Sequence, residues 1–269
     1  MGFTSIAAAL AAAIAQPASP AATPALPDAD PAIWVINDPD TTIYLFGTFH
    51  ALDGRTNWFN DEVSTAFNLS DELVLETVLP TMAPPAPVPQ FGFHRFATPS
   101  LQSGASFLAS TRVALSAGRS QGLTVDKGAD AVLRRAAEAA GKPVSGIESF
   151  EFQIAMFERM PASKMQEPRA GQPVDTMQDM SRVLATLHKA WNHGDGNTFA
   201  TMLEGLRRNS PETYRLLFVE RNANWAQWIS NRLTRPGTVF VAVGAGHLAG
   251  PDSVQNKLGQ IGVATTRIN

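Results

Sequence analysis

The stretch TTIYLFGTFHALDG, residues 41–54, decides how this chain is read. Its opening run, 41–46, is β-branched and aromatic, the composition of a strand that buries itself. Gly47 closes the run, and His50 arrives three residues later, where a strand gives way to a turn. Just upstream, AIWVIND followed by PDT supplies another β-rich run and its turn residues, so the two runs form a hairpin. The same context recurs near the C terminus, where TVFVAV leads into GAGHLAG and delivers His247. In open α/β sheets the edge just past the carboxyl ends of the strands is where ligands bind. Two histidines at such edges make it the first candidate site. Gly47, Gly244, Gly246 and Gly250 remove side chains that would block a closely approaching backbone or substrate, and the first three are candidate substrate-binding positions.

Working outward, residues 57–68 place Trp58, Val63, Ala66 and Phe67 on one helical face, with Asp61 and Glu62 near the favoured N-terminal end. ELVLETV (72–78) reads as a buried strand interrupted by Glu76 and neighbouring the strand that delivers His50. PTMAPPAPVPQ is a loop, since proline lacks the donor and restricts its neighbour; this proline-rich segment, 80–99, is expected to lie near the site. VDKGADAVLRRAAEAAGK is the clearest helix, closed by Gly141 and followed by the strand-like PVSGIE. Further helices are expected at 175–192 and 195–208, and a long one from Ser210 and Pro211 to Leu233. A strand, a glycine turn, the helix PDSVQNKLGQIG and a last strand VATTRI complete the chain. The pattern is one mixed α/β domain over 32–269, its sheet fed by an N-terminal hairpin and carrying a helical insertion over about 100–210.

Composition narrows the function. With 269 residues, 44% hydrophobic and 17% charged, the chain can bury a sizeable core. A net charge of −3 and no Lys/Arg run argue against nucleic acid as a partner. The absence of cysteine excludes disulfides, a thiol nucleophile, a thiolate zinc site and a lipid-modified cysteine, so any metal must be held by nitrogen and oxygen. Residues 6–15 are apolar and alanine-rich, and Ala13-Ile14-Ala15 suits a cleavage site before Gln16, although 1–4 carry no Lys or Arg. We expect a signal peptide at 1–15, a Pro/Ala-rich linker at 16–31 and a mature protein in the periplasm or secreted. The run is too short to span a bilayer, and no other stretch approaches that length.

Chemistry gathers on few residues. A lone strand-end histidine is more often a hydrogen-bonded structural group than a ligand, but here two share one context. Glu76 strengthens the case, because a carboxylate within an apolar strand is costly to desolvate unless paired or bound to a cation. His50, Glu76 and His247 therefore form a candidate facial set for a divalent metal with open positions; alternatively Glu76 stays off the metal as general base. Arg221 and Asn222 lie mid-helix between apolar residues. They are either a solvated outer pair, or an oxyanion-stabilising arginine beside an asparagine that orients a ligand. Glu148 is a third acidic strand end, and Glu151 reads as a helix-start charge. GAGHLA also matches a dinucleotide fingerprint, but the chain ends without the further strands and acidic residue that such a unit needs. His94, His188 and His193 are given no role.

YLFGTFHALDG, ELVLETV, KPVSGIESFEFQI, LLFVERNANWAQWI and VFVAVGAGHLAGPDSVQNKLGQIG occur in the order of the TraB/GumN family, and the chain resembles it from about residue 33 onward. That family is similar to the Tiki proteins, metal-dependent proteases that trim the amino terminus of Wnt proteins, and more remotely to the erythromycin-esterase (EreA) and ChaN-like group. The resemblance implies that His50, Glu76 and His247 are metal-site or catalytic residues, with Arg221, Asn222 and Glu148 in support. It also implies a metal-dependent hydrolase, acting on a peptide or protein with Mn, Co or Zn. The rival is a non-enzymatic envelope protein binding a peptide, pheromone or haem in the same cleft. GIESFEFQ departs from the family's Glu-x-x-Glu-Gln ending, which weakens any claim on Glu151.

Overall fold

The computed structural model describes residues 25–78, 114–161 and 176–269. Strands β1 (Ile33–Asn37) and β2 (Thr41–Thr48) form the expected antiparallel hairpin. Helix α1 (Asp61–Leu69) and β3 (Glu72–Thr77) follow. A helical stretch α2 over 114–119 precedes α3 (Ala129–Ala139), β4 (Val144–Glu148) and α4 (Phe150–Arg159). Helices α5 (Thr176–Asn192), α6 (Gly196–Asn209) and α7 (Pro211–Tyr214) come next. A π-helical turn (Arg215–Val219) then leads into α8 (Glu220–Arg232), and β5 (Gly237–Gly244), α9 (Val254–Gln260) and β6 (Thr266–Arg267) finish the fold. The strands make one mixed sheet in the order β4-β3-β5-β2-β1-β6, with β4, β3, β5 and β2 mutually parallel.

Side chains alternate faces along a strand, and β5 sorts the core accordingly. Phe240 and Ala242 enter one buried cluster, with Leu133 of α3, Trp191 of α5 and Phe199 of α6. Val239, Val241 and Val243 enter the other, with Trp225 and Ile229 of α8 and Leu258 of α9. A parallel sheet apolar on both faces must be covered on both, and these helices cover it.

Several local readings shift. Helix α1 begins at Asp61 rather than 57, because the Asn60 side chain accepts from Val63 N–H and caps it. Glu76's strand does not neighbour His50's: β5 pairs with both and lies between them. The strand expected at PVSGIE within the helical insertion is β4, and it pairs with β3. The end of the expected linker is docked: Ala29 is buried, its N–H donates to Asn57 O, and Asp30 N–H donates to Asn192 O. The final strand shrinks to Thr266–Arg267. The signal-peptide reading, the 80–99 loop and His94 fall outside the described residues. Among the described residues, no helix is long and apolar enough to cross a membrane.

Candidate functional site

Strand register decides who meets. Thr48 of β2 pairs with Gly244 of β5, so His50 and His247 emerge two and three residues beyond paired positions at one sheet edge. Leu75 of β3 pairs with Ala242 of β5, which sets Glu76 level with Val243, and Thr77 pairs with Glu148 of β4. Two imidazoles and two carboxyl groups thus come from the carboxyl ends of four parallel strands. Gly244 shows how closely three of them converge. The position a Cβ would take there lies 3.3 Å from His50 Nε2, 3.5 Å from Glu76 Oε2 and 3.6 Å from His247 Cδ2.

Each histidine is held by its far nitrogen. His247 is buried, and its Nδ1 lies 2.6 Å from Asn222 Oδ1. An amide oxygen only accepts, so Nδ1 carries the proton and the Nε2 lone pair faces the site. Burial among Phe218 and Trp225, whose rings approach to 4.8 and 4.4 Å, pushes this imidazole down to about 3; Arg221 and His50 add to the effect and Glu76 opposes it. His50 Nδ1 lies 2.7 Å from Asp130 Oδ2, and the Asp130 charge raises this imidazole to about 9. Asp130 Oδ1 accepts from Thr48 Oγ1 at 2.7 Å. Burial works to raise the Asp130 carboxyl, but His50 and these hydrogen bonds hold it below its usual range.

Asp130 can reach His50 because of Gly128. A Cβ at that glycine would collide with the His50 carbonyl, and the next N–H, that of Ala129, donates to Phe49 O at 3.0 Å. The start of α3 therefore abuts the turn that carries His50. Sequence reasoning missed Asp130, which looks like an ordinary first-turn helix charge. The glycine before it in DKGAD was the available signal.

Arg221 and Asn222 are buried, so the solvated-pair alternative does not hold. The π-helical turn precedes them and adds a residue to the helical register, and the pair points inward at the sheet edge. Arg221 pairs through Nη2 with Glu76 Oε1, and through Nε and Nη2 with both oxygens of Glu148 at 2.8 Å. Its Nη1 lies 3.4 Å from His247 Nε2. Trp225 Nε1 donates to Glu148 Oε1 at 2.8 Å, and Gln153 Nε2 donates to Glu148 Oε2 at 3.2 Å. Trp225 and Gln153 are thus further members of the network that the sequence did not reveal. Burial would raise the Glu76 carboxyl, but His247, Arg221 and His50 more than reverse this and hold it at about 2. Asn222 Nδ2 donates to Asp252 O at 2.7 Å, which fixes the amide that orients His247. Gly47 lies beneath Ala245, its carbonyl accepting a 2.8 Å hydrogen bond from Trp191 Nε1, while Gly246 packs against Phe218. Glu151 is exposed in the first turn of α4. His188 stacks on Phe49, and His193 bonds the carbonyl of Lys189.

The donor set is chemically suited to a divalent cation: two imidazole Nε2 atoms and a carboxylate, each histidine oriented through Nδ1 by an oxygen. Among the described residues, no three His, Asp or Glu side chains are drawn together in metal-ligand geometry. Arg221 sits among them, its guanidinium engaging Glu76 Oε1 and approaching His247 Nε2. Beside His50 and His247 opens a cavity of about 620 Å³, walled mainly by apolar side chains of α2, α5, α6 and the π-helical turn.

The fold and site define an α/β protein with histidines and carboxylates gathered at the carboxyl edge of a mixed sheet. Residues 32–100 and 90–267 match the TraB/PrgY/gumN family model, and the chain belongs to that family. No curated protein and no solved structure matches the chain.

Proposed function

We propose that this protein is a metal-dependent hydrolase of the cell envelope that cleaves peptide bonds. The observation carrying this reading is the shared point at Gly244, within 3.6 Å of His50, Glu76 and His247. Nitrogen and oxygen donors without sulfur suit Mn, Co or Zn. A bound ion of this kind supplies an acidified water and polarises a carbonyl. The side chains do the rest. Glu76 supplies the carboxylate of the donor set, its Oε1 fixed by Arg221 and its Oε2 by the Gly244 N–H. His247 is neutral near pH 7 and offers its Nε2 lone pair. Arg221 holds Glu76 in place and steadies negative charge developing on the substrate oxygen. Asp130 and Asn222 fix the two imidazoles. The envelope location rests on the signal-like residues 6–15.

The apolar cavity favours a second reading, a non-enzymatic protein that binds a peptide, pheromone or haem in the same cleft. The two part in one experiment. Protein stripped with chelator and reloaded with Mn, Co or Zn is incubated with a peptide library, beside Glu76→Gln. Metal-dependent cleavage lost in the folded variant supports the hydrolase. A folded wild-type protein that takes up no metal and cleaves nothing sinks it in favour of the binder.

A further inference from the structure

We propose that the cavity beside the histidines accepts a bulky apolar side chain flanking the cleaved bond, and that Gly118 and Met202 set which side chain fits; this rests on the hydrolase reading. The cavity shares His50, Gly244 and His247 with the candidate site, so a substrate held there reaches into it without leaving the cleft. Away from that polar end the wall is Leu115, Leu123, Leu184, Phe199, Met202 and Phe218. Its volume of about 620 Å³ exceeds any one side chain and suits a side chain with its flanking backbone.

Charge selects among apolar occupants. Apart from the histidines, the described residues of the lining offer one cation, Arg119, and one anion, Asp126. A haem brings two carboxylates and a fatty acid one, and away from the histidine end the described lining offers Arg119 alone to meet them. An uncharged peptide segment needs polar partners only at the histidine end, where they are.

Two residues control the space. Gly118 is buried in the α2 wall, and a Cβ there would make ordinary contacts of 3.6 Å to Leu123 Cβ and 3.9 Å to Leu184 Cδ1. Alanine therefore fits, and anything longer intrudes. Met202 of α6 also lines the cavity and is 38% exposed, so its replacement need not disturb the core.

The test uses acetylated pentapeptide amides, Gly-Gly-X-Gly-Gly, with X as Ala, Val, Leu, Met or Phe. Affinity for chelator-treated protein is measured by calorimetry, and cleavage after Mn reloading by mass spectrometry. Affinity should rise from Ala to Leu and Phe by on the order of 10- to 100-fold, as expected for burying three or more carbons. Gly118→Leu and Met202→Trp, each checked for native circular dichroism, should remove the gain for Phe and leave the Ala peptide unchanged. Equal affinities across the series, or an unaltered ranking in a folded narrowed variant, overturn the proposal. Cleavage without ranking sinks the pocket and leaves the hydrolase; ranking without cleavage sinks the hydrolase and leaves the pocket. Haemin or decanoate binding more tightly than the Phe peptide, and lost in the same variants, overturns the choice of occupant.

Discussion

His50 Nδ1 and Asp130 Oδ2 lie 2.7 Å apart although 80 positions separate them in the chain. The contact exists because the start of α3 is pressed against the backbone of the turn after β2. It makes one imidazole of the site a charged group in the metal-free protein, while the other, His247, stays neutral.

The first prediction concerns pH. A histidine whose folded pKa is raised from 6.5 to about 9 adds stability that is complete below 6.5 and is lost as pH climbs through 9. In chelator-treated protein the His50 ring resonances should titrate near the upper value. In Asp130→Asn they should move back toward 6.5, and the fall in urea midpoint between pH 6.5 and 9 should shrink. An unchanged titration in the variant would show that Asp130 does not govern His50.

Gly128→Ala tests how the contact is made. The added Cβ must displace the His50 carbonyl or the α3 terminus. We expect a loss of about 1–3 kcal/mol in urea denaturation, in the range of overpacking, together with the same fall in His50 pKa as Asp130→Asn. A neutral substitution on both counts would mean the close approach is dispensable.

Arg221 is 4% exposed and bridges Glu76 to Glu148. Arg221→Met leaves buried carboxyl groups without their cation and should cost about 3–5 kcal/mol. Arg221→Lys keeps the charge without the planar fork that spans both partners, and should recover only part of that. Combining Arg221→Met with Glu148→Gln should cost less than the sum of the two. Strict additivity would argue against the bridge.

Asn222→Ala removes the acceptor that fixes the His247 tautomer. Loss of an orienting partner of this kind typically lowers metal affinity or activity by about 10–100-fold. Mn titration of the folded variant checks it, and wild-type affinity there would separate His247 from metal binding.

Gly244→Ala fills the point that His50, Glu76 and His247 share. The backbone there, φ −54° and ψ 134°, is one any residue adopts. Stability should change by less than about 1 kcal/mol, unlike a typical core lesion, while Mn uptake and cleavage disappear. Retained uptake would move the site elsewhere.

Local pattern carried much of the architecture. The hairpin, β3 and β5 were legible because a buried strand is written in its own apolar run, and α3 because its apolar spacing and closing Gly141 are adjacent in sequence. The π-helical turn at Arg215–Val219 was not, since one extra residue barely disturbs a helical spacing. The docking of Ala29 and Asp30 on Asn57 and Asn192 likewise depends on backbone groups that no side-chain pattern announces.

By itself, the sequence determined that His50, Glu76, Glu148 and His247 stand where strands end, because hydrophobic runs and glycines are local signals. Only the tertiary structure decided that they meet: β5 had to insert between β2 and β3 with Thr48 opposite Gly244. It also chose their partners, Asp130, Asn222, Gln153 and Trp225, because pairing across a fold depends on register and close approach, which spacing along the chain does not encode.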